Sequence, residues 1–295
     1  RGRIGWAQTE PVEIPMTLSF ASASDPSLPL HVLAQAHLAR WLADPSDAVR
    51  AWVDNSGFTA GLGQTLLIPN ADGAPSMALA GYGKPASRAR KRFPLAAATE
   101  ALPKGTYHIA SGLPDDVVET ECLGWLLTGY SFDRYASQSA AKARLIAPDG
   151  VDATRLEIIA KAEALIRDLV NTPTSDMGPA DLAAAAEDLA RTHKARITTI
   201  VGDELLENNF PLIHTVGRAS ANEPRLIDMR WGKSGPKLTL VGKGVCFDTG
   251  GLNLKPAKSM NLMKKDMGGA ATVLGIAKMI MALKLPVQLR VLIPA

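Results

Sequence analysis

The chain has 295 residues, 46% of them hydrophobic and 21% charged, with a formal net charge of +3 and only two cysteines. This is ordinary globular composition, and the length suggests two domains. The charge excess is too small to mark a dedicated nucleic-acid binder, and two cysteines set no disulfide framework.

No apolar run approaches the ~20 residues of a membrane span, so no membrane partner is expected. "RGRIGWAQTE" (Arg1 to Glu10) lacks the apolar core of a signal peptide, so the expectation is a cytoplasmic chain. Residues 1 to 150 read as a small α/β domain. "HVLAQAHLARWLA" (His31 to Ala43) reads as a helix, and "TLLIP" and "MALAGYG" as strands bounded by Pro and Gly. "RARKR" (Arg88 to Arg92), the densest basic patch, reads as a solvated loop. "PLAAATEAL" reads as a short helix, "TYHIA" as a strand, Asp115 to Phe132 as a long helix, and "ARLIAP" as a strand. Strands alternating with helices predict a mostly parallel sheet.

"PDG" (Pro148 to Gly150) is a turn and the expected domain boundary. Residues 151 to 295 then begin a second α/β domain. Its first helix runs from about Thr154 to Val170, with Thr154 and Glu157 forming a capping box. A second helix starts at Pro179 and runs to about Lys194. "RITTIVG", "PRLIDMRWG" and "KLTLVGK" read as strands, the last of them buried.

The loop after "KLTLVG" carries the chemistry. From Leu240 to Gly275 the sequence is "LVGKGVCFDTGGLNLKPAKSMNLMKKDMGGAATVLG". It places Lys243, Asp248, Lys255 and Asp266 among glycines, between a strand and an apolar helix. Loops at the carboxyl ends of strands are where α/β sheets place ligands. Three readings are open. The first is a glycine-rich connection whose charges are solvated or paired. The second is a phosphate cradle, although neither Gly-x-Gly-x-x-Gly nor Gly-x4-Gly-Lys-Ser/Thr is present and two aspartates repel phosphate. The third is a metal site: aspartates supply hard oxygen ligands, a lysine beside a divalent cation can bind as a neutral amine, and a second lysine can meet charge developing on a substrate.

The motifs "VGKGVCFDTGG", "LNLKP" and "MKKDMGGAA" resemble the leucyl (cytosol) aminopeptidase family in order and spacing, as do Arg167 to Ala183 and Val216 to Trp231. The resemblance covers roughly Arg155 to Ala295. It implies a smaller N-terminal α/β domain followed by the first part of a larger three-layer α/β/α metallopeptidase domain. It also implies a hydrolase that removes N-terminal residues, often leucine, from peptides with two divalent metal ions, Zn2+ or Mn2+. By the same resemblance Lys243 and Asp266 bind one ion, Asp248 bridges both, Lys255 stabilises the oxyanion, and Met263 lines the pocket for the first side chain. Asp266 also falls among the substrate-binding positions, and a homohexamer is implied. Cys246 and Thr249 stand where the family more often has Thr and Ser; neither is a ligand position.

Two aspartates cannot balance two divalent cations. The family draws its remaining acidic ligands, and an arginine that holds a bicarbonate base, from an Asn-Thr-Asp-Ala-Glu-Gly-Arg segment that these 295 residues do not contain. The expectation is a fragment that lacks activity alone. The alternative is a non-catalytic, aminopeptidase-like oligomeric scaffold or DNA-binding regulator, which the mild positive charge favours only weakly. The five histidines form no His-Glu-x-x-His pair and read as surface or hydrogen-bonded residues.

Overall fold

The computed structural model describes residues 18–138 and 142–295, so Arg1 to Glu10 lie outside the described residues. The chain divides into two compact units, one holding the residues through Asp133 with Ser137–Glu157, the other holding Arg134–Ala136 with Ile158–Ala295. No helix among the described residues is long and apolar enough to cross a membrane.

The first unit is built on β1 (Leu28–Ala34), β2 (Thr65–Pro69), β3 (Pro75–Gly83), β4 (Gly105–Ser111) and β5 (Ala143–Leu145). Their order is β2-β3-β1-β4-β5. All neighbours run parallel except the β2–β3 pair. The helix expected from His31 to Ala43 is a correction: its first residues belong to β1, the central strand. Leu30 and Val32 alternate into the core there, and pairing on both edges overrides the helix-like composition. Helical structure in that stretch is confined to a 3-10 turn, Gln35–His37, and a single α-turn, Leu38–Trp41.

Helix α1 (Val118–Thr128) is shorter than its sequence suggests and carries a buried acid, Glu121. The Tyr82 hydroxyl donates to Glu121 Oε1 at 2.5 Å and the Leu95 amide donates to Oε2 at 2.8 Å. Burial pushes the Glu121 carboxyl up, and these two bonds offset it only in part. Arg88 is not simply solvated: its guanidinium lies 4.5 Å from the Tyr82 ring centre and donates to the carbonyls of Tyr82 and Gly83.

Helix α2 (Ala153–Asn171) follows. The expected capping box does not form. Asp152 Oδ1 accepts from the Arg155 amide at 3.0 Å, and Glu157 instead accepts from the Phe20 amide at 3.0 Å. An aspartate just ahead of the first turn satisfies a free helix N–H better than a threonine already inside it.

The second unit holds α3 (Pro179–His193), β6 (Arg196–Val201), a short α4 (Pro211–Gly217), β7 (Arg225–Trp231), β8 (Lys237–Val241), α5 (Gly268–Ala282) and β9 (Gln288–Pro294). The sheet order is β6-β7-β9-β8, with β8 and β9 parallel and the other pairs antiparallel. One face carries Ile227, Met229, Leu289, Val291 and Ile293, which form a core with Leu182, Ala186, Leu274, Ala277 and Met281 of α3 and α5. Each of the larger aliphatic side chains contributes roughly 1.5–3 kcal/mol by leaving water. Helices α2 and α5 cross closely, because a Cβ on Gly275 would lie 2.4 Å from the Ile166 side chain. The expectation that β8 is buried is corrected. Among the described residues it lies at the sheet edge, where only Leu240 is partly buried and Val241 is 66% exposed.

On the opposite face three arginines stand in register. Arg196 pairs with Arg230, and Arg230 pairs with Arg290. Asp228 accepts two bonds from each of Arg230 and Arg290, at 2.8–3.2 Å. Burial opposes its charge, yet these bonds hold its carboxyl below the usual carboxylate range.

Candidate metal centre

The loop begins where β8 meets the first turn of α5. The Gly242 and Gly244 amides donate to the Leu292 and Pro294 carbonyls of β9 at 3.0 and 2.9 Å, and the Ala270 amide donates to the Lys243 carbonyl at 2.9 Å. Strand exit and helix entry therefore touch backbone to backbone. A Cβ on Gly269 would sit 2.9 Å from the Lys243 nitrogen, and one on Gly242 would sit 2.7 Å from the Gly269 oxygen. Glycine permits that approach, which sets Lys243 beside the short 3-10 turn Met263–Met267 that carries Asp266.

The four charged residues form two ion pairs. Lys243 Nζ lies 2.6 Å from Asp266 Oδ1, and Lys255 Nζ lies 2.6 Å from Asp248 Oδ2. Asp248 Oδ1 also accepts from the Gly250 amide at 2.7 Å. The Lys255 hydrogen bond first, and that amide second, hold the Asp248 carboxyl below its ordinary value; the charge of Lys243 reaches it as well. Met263 Sδ is 3.7 Å from Lys255 Nζ. The structure thus joins Lys243 to Asp266, and Lys255 to both Asp248 and Met263.

One oxygen is left over. Asp266 Oδ2 is buried and has no hydrogen-bond partner. An unpaired buried carboxylate oxygen is costly, and a cation removes the cost. Two carboxylates and an amine fit a hard or borderline divalent ion that takes further ligands. They do not suffice for two ions, and among the described residues no three His, Cys, Asp or Glu side chains cluster as a metal site.

The sequence reading passes over two residues that hold this loop. Thr174 Oγ1 donates to the Cys246 carbonyl at 3.1 Å, and Lys264 Nζ donates to the Asn171 carbonyl at 2.7 Å. Neither carries a chemical spacing; only their place inside the longer motifs marks them. Cys246 itself is buried, and burial pushes its thiol up to about 12. Beside the loop lies a cavity of about 400 Å³, lined by Leu212, Val216, Lys243, Cys246 and Phe247 among others. Asp176 accepts from the Tyr135 hydroxyl.

The profile of the cytosol aminopeptidase family's catalytic domain matches residues 164–295, which include the whole loop, and the profile of the M17 aminopeptidase N-terminal domain matches residues 28–148. The chain belongs to the cytosol aminopeptidase family. A relative named "Probable cytosol aminopeptidase" from Geobacter sp. (strain M21) is 35% identical over 263 residues, covering 80% of this chain and 53% of the relative. The crystal structure of cytosol aminopeptidase from Coxiella burnetii superposes with a TM-score of 0.86 at 38% identity, over 94% of this chain and 60% of that one. The bottromycin maturation enzyme BotP, solved in complex with Mn, gives 0.74 at 30% identity, over 91% and 59%. The chain spans about half the length of the curated relatives it matches. In this cytosol aminopeptidase family member, Lys243, Asp248, Lys255, Met263 and Asp266 all lie within the segment matched to the catalytic domain.

Proposed function

We propose that this chain is part of a metal-dependent aminopeptidase that removes N-terminal residues, with a leucine-type preference, from peptides. The observation that carries the reading is the pairing of Lys243 with Asp266 and of Lys255 with Asp248 on one loop, with Asp266 Oδ2 buried and unsatisfied. Lys243 and Asp266 would hold one divalent ion, and Asp248 would bridge to a second. Such ions, Zn2+ or Mn2+, supply an activated water and polarise the scissile carbonyl.

The protein groups do the rest. Asp248 takes its counter-charge from Lys255 in this structure. With Asp248 serving as a ligand, the Lys255 ammonium would be free to donate to the developing oxyanion. Met263, beside Lys255, offers a soft apolar wall to the first side chain of the substrate. The N-terminal part would span residues 1–150 and the catalytic part 151–295. Further acidic ligands, and a bicarbonate base, would come from sequence beyond these 295 residues. The relatives' name supports a cytoplasmic setting, and family resemblance supports a homohexamer.

The test is Mn2+ binding by the purified chain, followed by electron paramagnetic resonance, with hydrolysis of leucine p-nitroanilide measured on the chain and on the full-length protein. We expect weak or single-site binding and no turnover by the 295 residues, with turnover in the full-length protein. No Mn2+ binding by the chain, or no turnover by the full-length protein, refutes the reading; robust turnover by the 295 residues alone refutes the need for further ligands.

A further inference from the structure

One segment reaches both arms of the charged loop. The turn that closes α2 runs from Asn171 to Thr174, and it is anchored: Thr172 is 2% exposed and its hydroxyl donates to the Asp168 carbonyl at 2.7 Å. Thr174 ties down the first arm through the Cys246 carbonyl, and Asn171 receives Lys264 from the second arm. Each tie falls two residues ahead of an aspartate, Cys246 before Asp248 and Lys264 before Asp266. Between the arms the loop has little packing of its own, since Leu252, Leu254 and Leu262 are 87%, 76% and 62% exposed. An ammonium on the last carbonyls of a helix is also favoured by the helix dipole.

We infer that Thr174 and Lys264 are positioning residues, which set the separation of Asp248 and Asp266 by fastening both arms to the same turn. Each carboxylate is held by its own lysine, Asp248 by Lys255 and Asp266 by Lys243, so the ion pairs alone do not fix the distance between the two acids, and that spacing has to be imposed from outside the loop. The exposed middle of the loop cannot impose it. The end of α2, packed in the core through Leu169, can. This inference rests on the metal-binding reading only for its consequence; the fastening itself is independent of metal.

The experiment compares the purified chain with T174V, T174S, K264M and K264R. Hydrogen exchange by mass spectrometry, without metal, follows peptides covering residues 244–250 and 262–268. Mn2+ affinity is measured in parallel, and thermal melting reports global folding. T174V is expected to speed exchange in the first peptide and K264M in the second, each about ten-fold. Each should weaken Mn2+ affinity about ten-fold with melting temperature unchanged. T174S and K264R, which keep the donor, should restore both readouts. Unchanged exchange in T174V and K264M overturns the inference, and so does a T174S variant that behaves like T174V. Faster exchange with unaltered Mn2+ affinity overturns the positioning role. A wild-type chain that binds no Mn2+ refutes the metal reading, while exchange still decides the fastening.

Discussion

Replacing Gly269 with alanine should separate the strand exit from the helix entry, while the same change one residue earlier should not. At Gly269 the added Cβ meets the Lys243 nitrogen at 2.9 Å, with the Lys243 Cβ and carbonyl oxygen both at 3.4 Å. The nearest atom is backbone and cannot swing away, so α5 must retreat by about half an ångström to reach ordinary contact. Overpacking of this kind costs roughly 1–3 kcal/mol. The retreat also stretches the 2.9 Å bond from the Ala270 amide to the Lys243 carbonyl, whose net worth is about 0.5–1.5 kcal/mol. Gly268 has helical backbone angles, and a Cβ added there would meet nothing within 4 Å, so alanine at this position should stabilise by about 0.4–1 kcal/mol. The two variants should differ by roughly 2–5 kcal/mol, which at 2–4 °C per kcal/mol is about 4–20 °C in melting temperature. Thermal denaturation followed by circular dichroism decides it, with Mn2+ affinity as a second readout that should fall in G269A alone. Equal melting temperatures for G268A and G269A would refute the reasoning.

Asp266→Ala should abolish Mn2+ binding by the chain while leaving it folded, and binding retained in this variant would remove Asp266 from the ligand set. Burial raises the Glu121 carboxyl, so its contribution is fully present below its ordinary value of 4.5 and is lost as pH rises through its raised value. Denaturant titrations of E121Q should show that loss flattened, together with a cost of about 1–3 kcal/mol at acid pH from a donor left without its acceptor. Asp228 has a lowered value, so its contribution is present above 3.8 and is lost as pH falls through the lowered value. D228N should leave Arg196, Arg230 and Arg290 unbalanced across three strands and lower stability, and the loss should shrink as salt is added.

The loop was legible as the candidate site because its residue types and order are dense in information: two acids and two amines among glycines, between a strand and a helix. The pairing of Lys243 with Asp266, rather than with the nearer Asp248, was not legible, because the loop folds back through a 3-10 turn before α5 begins. Most strands of the first unit read correctly from their Pro and Gly boundaries. His31 to Ala43 misread because Ala, Leu and Gln spacing mimics a helix, and only pairing with β3 and β4 reveals β1. The edge position of β8 was hidden for a similar reason, since its partner β9 follows only after α5. The ties from Thr174 and Lys264 involve carbonyl oxygens, and backbone acceptors leave no trace in residue identity.

The two lysine–aspartate contacts bear on how such a centre could be loaded. Each acid already has a resident positive partner, so the polypeptide can reach its native shape before any ion arrives. Loading then becomes a substitution, in which an incoming ion must outcompete a tethered ammonium, and occupancy should respond to acidity and to ion supply without the rest of the unit unfolding.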